Sequence, residues 1–433
     1  MQLSSFQLRL ENARRLAQSG DALVAEARLL ELLGENPASA GTLAALAGLA
    51  LQRSDTARAL GFLERAVSAD PGDLDLALYL AETLAQNGHL PRALGVLTPL
   101  LQRVPGYFPG WLLLGRLRDI SGDGVGALRA WYQAVTRSQS AGHWMDTQST
   151  PAHLVGLVSH AVERVRVGCR ELLLGSYENL RQQIGSEKLQ RVDLALTGFL
   201  GEWDASPPDA RQRPKFFHFP GLPVSPYLDP FLHSWAPQLQ AAFPAIRREA
   251  LAVWAEDRKF ENFLELSKAA NPKEYLQGEG ENPSWEAFFF YRHGRRNDAN
   301  HRRCPETSAV LESLELCRVE GQAPEICFSV LSPGSHIMPH YGVTNTRTVM
   351  HLPLVVPTDC ALNIIDAGEH AWKEGELMLF DDTFQHEAWN RSSATRIVLL
   401  MDCWNPHLTP DERIAVKQLV ETISSFQNAD QFA

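Results

Sequence analysis

The chain has 433 residues, of which 45% are hydrophobic and 21% charged, with 10 Trp and 19 Phe. That length exceeds what one hydrophobic core organises, so two or three domains are expected, and the composition argues against extended disorder. A net charge of −11 argues against a protein that binds nucleic acid without sequence preference, because that needs a basic face to neutralise phosphates.

The six cysteines (Cys169, Cys304, Cys317, Cys327, Cys360 and Cys403) contain no CxxC pair. Their scatter suits neither a zinc ribbon nor a disulfide framework and points to a reducing compartment. The N-terminus has no basic region followed by an apolar run, and no stretch approaches a 20-residue apolar span. The expectation is a cytoplasmic protein with no membrane partner and no nucleic-acid partner.

The first third of the chain repeats. Gly20, Ser54, Gly88 and Gly122 fall 34 residues apart, as do Ala25, Ala59, Ala93 and Ala127, and Pro37, Pro71 and Pro105 keep the step until Gln139 breaks it. A 34-residue period of this kind is the tetratricopeptide signature. Gly or Ser ends the first helix, Ala lets the second approach closely, and Pro stops the second by withholding a donor. Repeats bury their faces only against neighbours, so a cap is needed, and the helical patterns between Pro151 and Gly201 supply a candidate. The polar, Pro-rich stretch from Asp204 to Pro214 then reads as an interdomain linker.

Beyond it one helix is expected around Pro244–Glu256. From about Glu325, short β-rich runs dominate: Ile326–Leu331, Thr348–Val356, Ala361–Ile365, Glu376–Phe380 and Arg396–Cys403. Their spacing suits an antiparallel sandwich or barrel. The expected organisation is multidomain α+β. Tetratricopeptide-like repeats occupy 1–140, a helical cap 141–203, a linker 204–215 and a jelly-roll, double-stranded β-helix domain 216–433.

The chemistry-bearing residues lie between Ser329 and Trp404. His340 follows Pro339, His386 lies some tens of residues later, and Arg396 comes in the next strand. That order occurs in double-stranded β-helix iron oxygenases. Fe(II) takes imidazole well and needs open positions for 2-oxoglutarate and O₂. An Arg then holds the far carboxylate of 2-oxoglutarate bidentately. The usual carboxylate two residues after the first His is missing, because Gly342 stands there.

Other features weigh less. His336 and His340 form an HxxxH pair, but Pro333, Gly334 and Pro339 preclude a helix, so His336 reads as a rim residue rather than a zinc ligand. Asp381 reads equally as a second-shell carboxylate or a turn residue, and Asp382 as a turn residue. Asp366–His370 reads as a hairpin loop. Arg295, Arg296, Arg302 and Arg303 could attract an acidic substrate or simply form a solvated face.

The segment resembles the aspartyl/asparaginyl β-hydroxylases, in which Gly replaces the carboxylate and two His hold the iron. The matching residues include Phe328-Ser329, Pro339-His340, Gly342, Thr344-Asn345, Arg347, Met350-His351-Leu352, Trp372, Phe380-Asp381-Asp382, His386-Glu387, Arg396 and Asp402. Upstream, Phe219-Pro220-Gly221-Leu222 and Gly294-Arg295-Arg296-Asn297 match too, so the resemblance covers roughly Phe216 to Val416. It implies an Fe(II)- and 2-oxoglutarate-dependent dioxygenase acting at the β-carbon of Asp or Asn. His340 and His386 would ligate iron. Arg396 and Ser329 would hold the distal carboxylate of 2-oxoglutarate, and His351 would lie near its chelating end. Arg347 would meet the substrate carboxylate, and Asp381 remains the candidate second-shell acid from its position alone. Val349 departs from the pattern, since the family can carry a second Arg there. The repeats offer a surface for a peptide or protein substrate. Three alternatives stand beside this: the same chemistry on a small-molecule, acyl or carrier-bound substrate; a scaffold with an inactive β-domain; and a cupin-like metal fold of another reaction class.

Overall fold

The computed structural model describes residues 4–257, 259–264, 271–278 and 283–428. The chain divides into two compact units, one within Met1–Arg170 and the other within Glu171–Ala429.

Among the described residues, the first unit begins with sequential helix pairs: α1 (Ser5–Gln18), α2 (Ala22–Glu35), α3 (Ala40–Gln52), α4 (Thr56–Ala69), α5 (Leu74–Gln86), α6 (Leu90–Arg103), α7 (Phe108–Ile120) and α8 (Gly124–Ser140). The repeat positions do what their chemistry demands. Gly20, Gly88 and Gly122 adopt φ of 95°, 79° and 82° between the helices of a pair, and Ser54 is held at 60° in the equivalent place. Left-handed backbone there satisfies the carbonyls at a helix end. Ala25, Ala59, Ala93 and Ala127 are all fully buried, the close approach that a larger side chain would forbid. Leu80, Leu84, Leu97, Leu113 and Trp131 carry the core between them.

A 30-residue helix, α9 (Val155–Ile184), follows, and then α10 (Gln190–Phe199). Leu173, Tyr177, Leu189, Val192 and Leu196 share a core with Ala415, Leu419 and Ile423 of the C-terminal helix α15 (Pro410–Asn428). Arg191 donates to both carboxylate oxygens of Glu412, at 2.8 and 2.6 Å, and to the Gly221 and His407 carbonyls. The division expected at residue 203 therefore cuts through a core, because the amphipathic faces of 171–199 find their partner in α15.

The expected linker at 204–215 is also corrected. Gln212 forms a β-bridge with Phe384, and its amide donates to Asp381 Oδ2 at 2.7 Å. The backbone N–H of Arg213 donates to Thr383 O, that of Lys215 to Gly342 O and those of Phe216 and Phe217 to Val343 O. A Pro-rich composition forbids helix here, but it does not forbid an extended strap whose donors find carbonyls.

The rest of the second unit is built on two antiparallel sheets. Their strands in chain order are β1 (Tyr227–Leu228), β2 (Glu261–Asn262), β3 (Leu276–Gly278), β4 (Trp285–Arg292), β5 (Arg295–Arg296), β6 (Ile326–Leu331), β7 (Ser335–His340), β8 (Arg347–Val355), β9 (Cys360–Ile364), β10 (Gly368–Ala371), β11 (Met378–Phe380), β12 (His386–Asn390) and β13 (Arg396–Trp404). The larger sheet runs β1-β11-β8-β13-β6-β4-β2, with β5 on β4, and the smaller runs β10-β9-β12-β7-β3. From β6 to β13 the chain passes repeatedly between sheets, with β6, β8, β11 and β13 in one and β7, β9, β10 and β12 in the other. This is the double-stranded β-helix. The helices α11 (Ala236–Ala241), α12 (Phe243–Asp257), α13 (Asp298–Arg303) and α14 (Pro305–Ser313) accompany the larger sheet. The aromatic run of β4 was not singled out as a strand in the sequence, and its Phe288 and Phe290 join Phe328, Met350, Leu399 and Met401 under those helices.

Alternation along the larger sheet positions the site. On β8, Met350, Leu352 and Leu354 enter the helix-side core, so Arg347, Val349 and His351 point the other way, between the sheets. On β13, Leu399, Met401 and Cys403 face the helices, leaving Arg396, Leu400 and Asp402 on the inner side.

Candidate active site

The inner faces enclose a cavity of about 190 Å³ whose lining includes His340, His351, Asp382, His386, Arg396 and Ser329. His340 ends β7 and His386 begins β12, directly opposite one another in the ladder. Their ring centroids are 4.1 Å apart. The register shifts between His386 and Ala388, so Met338 and Pro339 of β7 oppose the single residue Glu387 of β12. Pro339 lies in that bulge, where a missing N–H costs no ladder bond, and a bulge of this kind re-aims a side chain.

Both imidazoles are oriented by the same device. His340 Nδ1 bonds to the Met338 carbonyl at 2.8 Å, and His386 Nδ1 to the Phe384 carbonyl at 2.9 Å. A carbonyl only accepts, so each Nδ1 carries the proton and each Nε2 keeps its lone pair, the form in which His binds a metal. Burial holds both rings neutral: it lowers the proton affinity of His340, and it lowers His386 to about 3, with His340 adding to the effect.

Arg396 is 2% exposed, and no acidic side chain among the described residues pairs with it. Its Nη1 makes long contacts of 3.4 Å with Ser329 O and Oγ, its guanidinium lies 5.0 Å from the Trp372 ring, and its Nε has no partner. Burial lowers its pKa to about 10. An isolated buried cation costs several kcal/mol unless an anion joins it. Ser329 Oγ also accepts from Trp285 Nε1 at 3.0 Å, which fixes it beside the guanidinium. His351 Nδ1 accepts from Trp372 Nε1 at 3.2 Å, so its proton sits on Nε2, a buried donor without a partner.

Arg347 lies on the same face, but its charge is answered within the protein. Its Nη1 donates to Asp402 Oδ2 at 2.9 Å, from a strand directly alongside. Its Nε remains unpartnered, so it can still bond a neutral acceptor. Arg347 also lines the cavity, where a substrate carboxylate was expected to meet it.

The two aspartates divide between turn and cavity. Asp381 is a turn residue: Oδ1 accepts from the N–H and hydroxyl of Thr383, and Oδ2 from Gln212. Asp382 instead lines the cavity, with Oδ1 unpartnered. Burial raises its pKa to about 7, while Arg347 opposes the shift. A β-carbon built at Gly342 would lie 2.1 Å from Asp382 Cγ and 2.2 Å from both its oxygens. The Asp382 carboxyl thus occupies the space a side chain at Gly342 would need. The only sequence signal was its position before His386, where a turn was the favoured reading.

The remaining candidates lie elsewhere. His336 Nε2 pairs with Glu387 at 2.7 Å on the opposite face of β7. Arg296 pairs with Asp298 and Glu312, and Arg303 with Glu256 and Asp257. No group of three His, Cys, Asp or Glu suited to a metal occurs among the described residues.

Fold and cavity define the second unit as a double-stranded β-helix with a paired-imidazole site beside a buried, unpaired arginine. Comparison with known proteins gives this class a family. The Aspartyl/Asparaginyl beta-hydroxylase model matches residues 240–406 and the Tetratricopeptide repeat model residues 50–117, so each unit contains a region similar to one of these families. It is 38% identical over 137 residues to mouse Aspartyl/asparaginyl beta-hydroxylase, covering 31% of this chain and 18% of that protein. It is 33% identical over 209 residues to mouse Aspartate beta-hydroxylase domain-containing protein 2, covering 47% and 58% respectively. It is also 29% identical over 187 residues to the Ornithine lipid ester-linked acyl 2-hydroxylase of Rhizobium tropici, covering 43% and 62%. The chain spans less than two thirds of each.

Proposed function

We propose that the second unit is an Fe(II)- and 2-oxoglutarate-dependent hydroxylase. The observation that carries this reading is the buried Arg396, a cation without a protein anion, lining one cavity with two neutral imidazoles whose Nε2 atoms are free to coordinate. The donor set suits the group. His340 and His386 would hold the metal, Arg396 and Ser329 the distal carboxylate of 2-oxoglutarate, and the His351 Nε2–H its chelating end. With O₂, iron and 2-oxoglutarate supply the oxidative decarboxylation that converts a substrate C–H to C–OH.

The chain's own part is orientation and exclusion of water. The two backbone carbonyls fix the tautomer of each imidazole, and the Ser329–Trp285 bond holds the hydroxyl beside Arg396. Asp382, poised near neutrality, can accept or release a proton within the cavity. The substrate we favour is an Asp or Asn residue, hydroxylated at its β-carbon, in a peptide or protein recruited by the repeats. A second reading places the same chemistry on an acyl or carrier-bound substrate. Val349 favours it, by setting an apolar side chain where the family can carry a cation.

Anaerobic loading with Fe(II) and 2-oxoglutarate, followed by O₂, should release succinate from wild type. His340→Ala/His386→Ala should lose iron. Arg396→Met should keep iron and lose the rise in melting temperature that 2-oxoglutarate gives wild type, and it should raise the 2-oxoglutarate requirement roughly 100-fold, as expected for a charge-assisted pair of about 3 kcal/mol. An unchanged requirement removes Arg396 from this role.

A further inference from the structure

The direction of the His386 ring depends on the residues just before it. Its Nδ1 donates to the Phe384 carbonyl at 2.9 Å, so whatever turns Phe384 turns the imidazole. Residues 381–384 form a hydrogen-bonded turn. Asp381 Oδ1 accepts the Thr383 N–H at 2.9 Å and the Thr383 hydroxyl at 2.6 Å, and the Phe384 N–H donates to Asp381 O at 3.3 Å. The strap closes the other side of that turn. Gln212 pairs with Phe384 in a β-bridge, and its Nε2 donates to Asp381 Oδ2 at 2.7 Å and to Thr383 Oγ1 at 3.2 Å. The Arg213 N–H adds a bond to Thr383 O at 2.8 Å, and the Arg211 guanidinium lies 5.6 Å from the Phe384 ring.

Chemistry fixes which way the Gln212 amide faces. A carboxylate only accepts, and the Thr383 hydroxyl has given its proton to Asp381, so the NH₂ end must meet both. The side chain is 3% exposed, and its Oε1 is left buried without a partner. That cost is set against two bonds, one of them to a charged acceptor.

We infer that Gln212 positions His386: its amide braces the 381–384 turn, so that the Phe384 carbonyl meets Nδ1 and Nε2 is left for the metal. This rests on the hydroxylase reading, in which His386 holds that metal. Gln212 is a positioning residue, because it acts through Asp381, Thr383 and Phe384 and touches no reacting atom.

The test uses the full chain under nitrogen, with Co(II) as the metal probe and its visible absorption as the signal. Gln212→Glu keeps the shape of the side chain but removes both donors and sets a carboxylate against Asp381. It should weaken Co(II) binding roughly ten-fold, the lower end for losing a group that orients a metal-binding histidine, and alter the shape of the visible band at saturating Co(II). Gln212→Glu/Asp381→Asn restores the pair with its polarity reversed, since the new amide donates where the old carboxylate accepted. It should regain most of the lost affinity, a coupling expected of residues in contact. In the metal-free protein, nitrogen NMR of labelled histidines should show His386 protonated on Nδ1 in wild type and as a mixture of tautomers in Gln212→Glu. A lower melting temperature in Gln212→Glu with affinity, band shape and tautomer all unchanged makes the glutamine a structural residue only and overturns the proposal. A double variant that recovers none of the lost affinity overturns it too. Wild type that binds no Co(II) overturns the metal reading instead, and the tautomer measurement then decides the assignment of Gln212 alone.

Discussion

At the scale of single residues, Gly342 and Asp382 form one unit. Gly342→Asp would restore the carboxylate that most two-histidine-plus-acid sites carry, yet its β-carbon would meet the Asp382 carboxyl at 2.1 Å. The substitution should therefore lower iron occupancy and cost roughly 3 kcal/mol of stability, through overpacking and a second buried charge. Removing the obstruction in Gly342→Asp/Asp382→Ala should recover both, as read by metal analysis and thermal melting.

Asp382 also sets a pH dependence in the metal-free protein. Its carboxyl has a pKa of about 7 in the fold, against an ordinary 3.8, so the folded state binds the extra proton. The stability this contributes is complete below the ordinary value and is lost as pH rises through about 7. Asp382→Asn, which cannot ionise, should gain melting temperature over wild type progressively from pH 4 to 7 and hold a constant advantage above that. An advantage independent of pH would show that the carboxyl ionises at its ordinary pKa in the folded state.

The residue scale is also where the sequence was least complete. His340, His386, His351, Ser329 and Arg396 all line the expected cavity, because types and order specify them. Which of Asp381 and Asp382 turns into the cavity was not legible. Adjacent acids before a strand have the same composition whichever one turns inward, and only the turn made by Thr383 and Gln212 decides. The Arg347–Asp402 pair was not legible either, since the two lie 55 residues apart.

At the scale of elements, the helical repeat was the most legible part. The Gly, Ala and Pro periods correspond to left-handed helix ends, fully buried contacts and helix stops. Ser54 is the exception that tests the rule, at φ 60° where the other repeats carry Gly. A side chain there costs about 1 kcal/mol. Ser54→Gly should raise the melting temperature of the helical circular-dichroism signal by a few degrees. No gain would mean that the serine side chain compensates the strain. Strands were legible where β-branched and aliphatic residues alternate, as in β6 and β13. The strand β4 was not, since a run of Phe and Tyr buried on both faces has no period of two.

At the scale of the molecule, composition could mark the Pro-rich segment but could not say what it touches. The core shared by α10 and α15 was invisible for the same reason, its halves being some 220 residues apart, as the Arg191–Glu412 pair shows. A fragment starting at residue 204 should expose Ala415, Leu419 and Ile423 and collect in the insoluble fraction. One starting at residue 171 keeps Leu173, Tyr177, Leu189, Val192 and Leu196 and should stay monodisperse in size-exclusion chromatography. Equal behaviour of the two would place the true boundary downstream of α10.

The ladder that sets His340 across from His386 is the same one that sets Ile337 across from Ala388. A slip of one residue in β7 would swing the first imidazole to the outside of the sandwich while leaving most of the polypeptide packed. If the pair holds iron as proposed, iron stoichiometry in a purified sample would count correctly registered molecules, and a sub-stoichiometric value that chelation and reloading cannot improve would report misaligned strands rather than weak coordination.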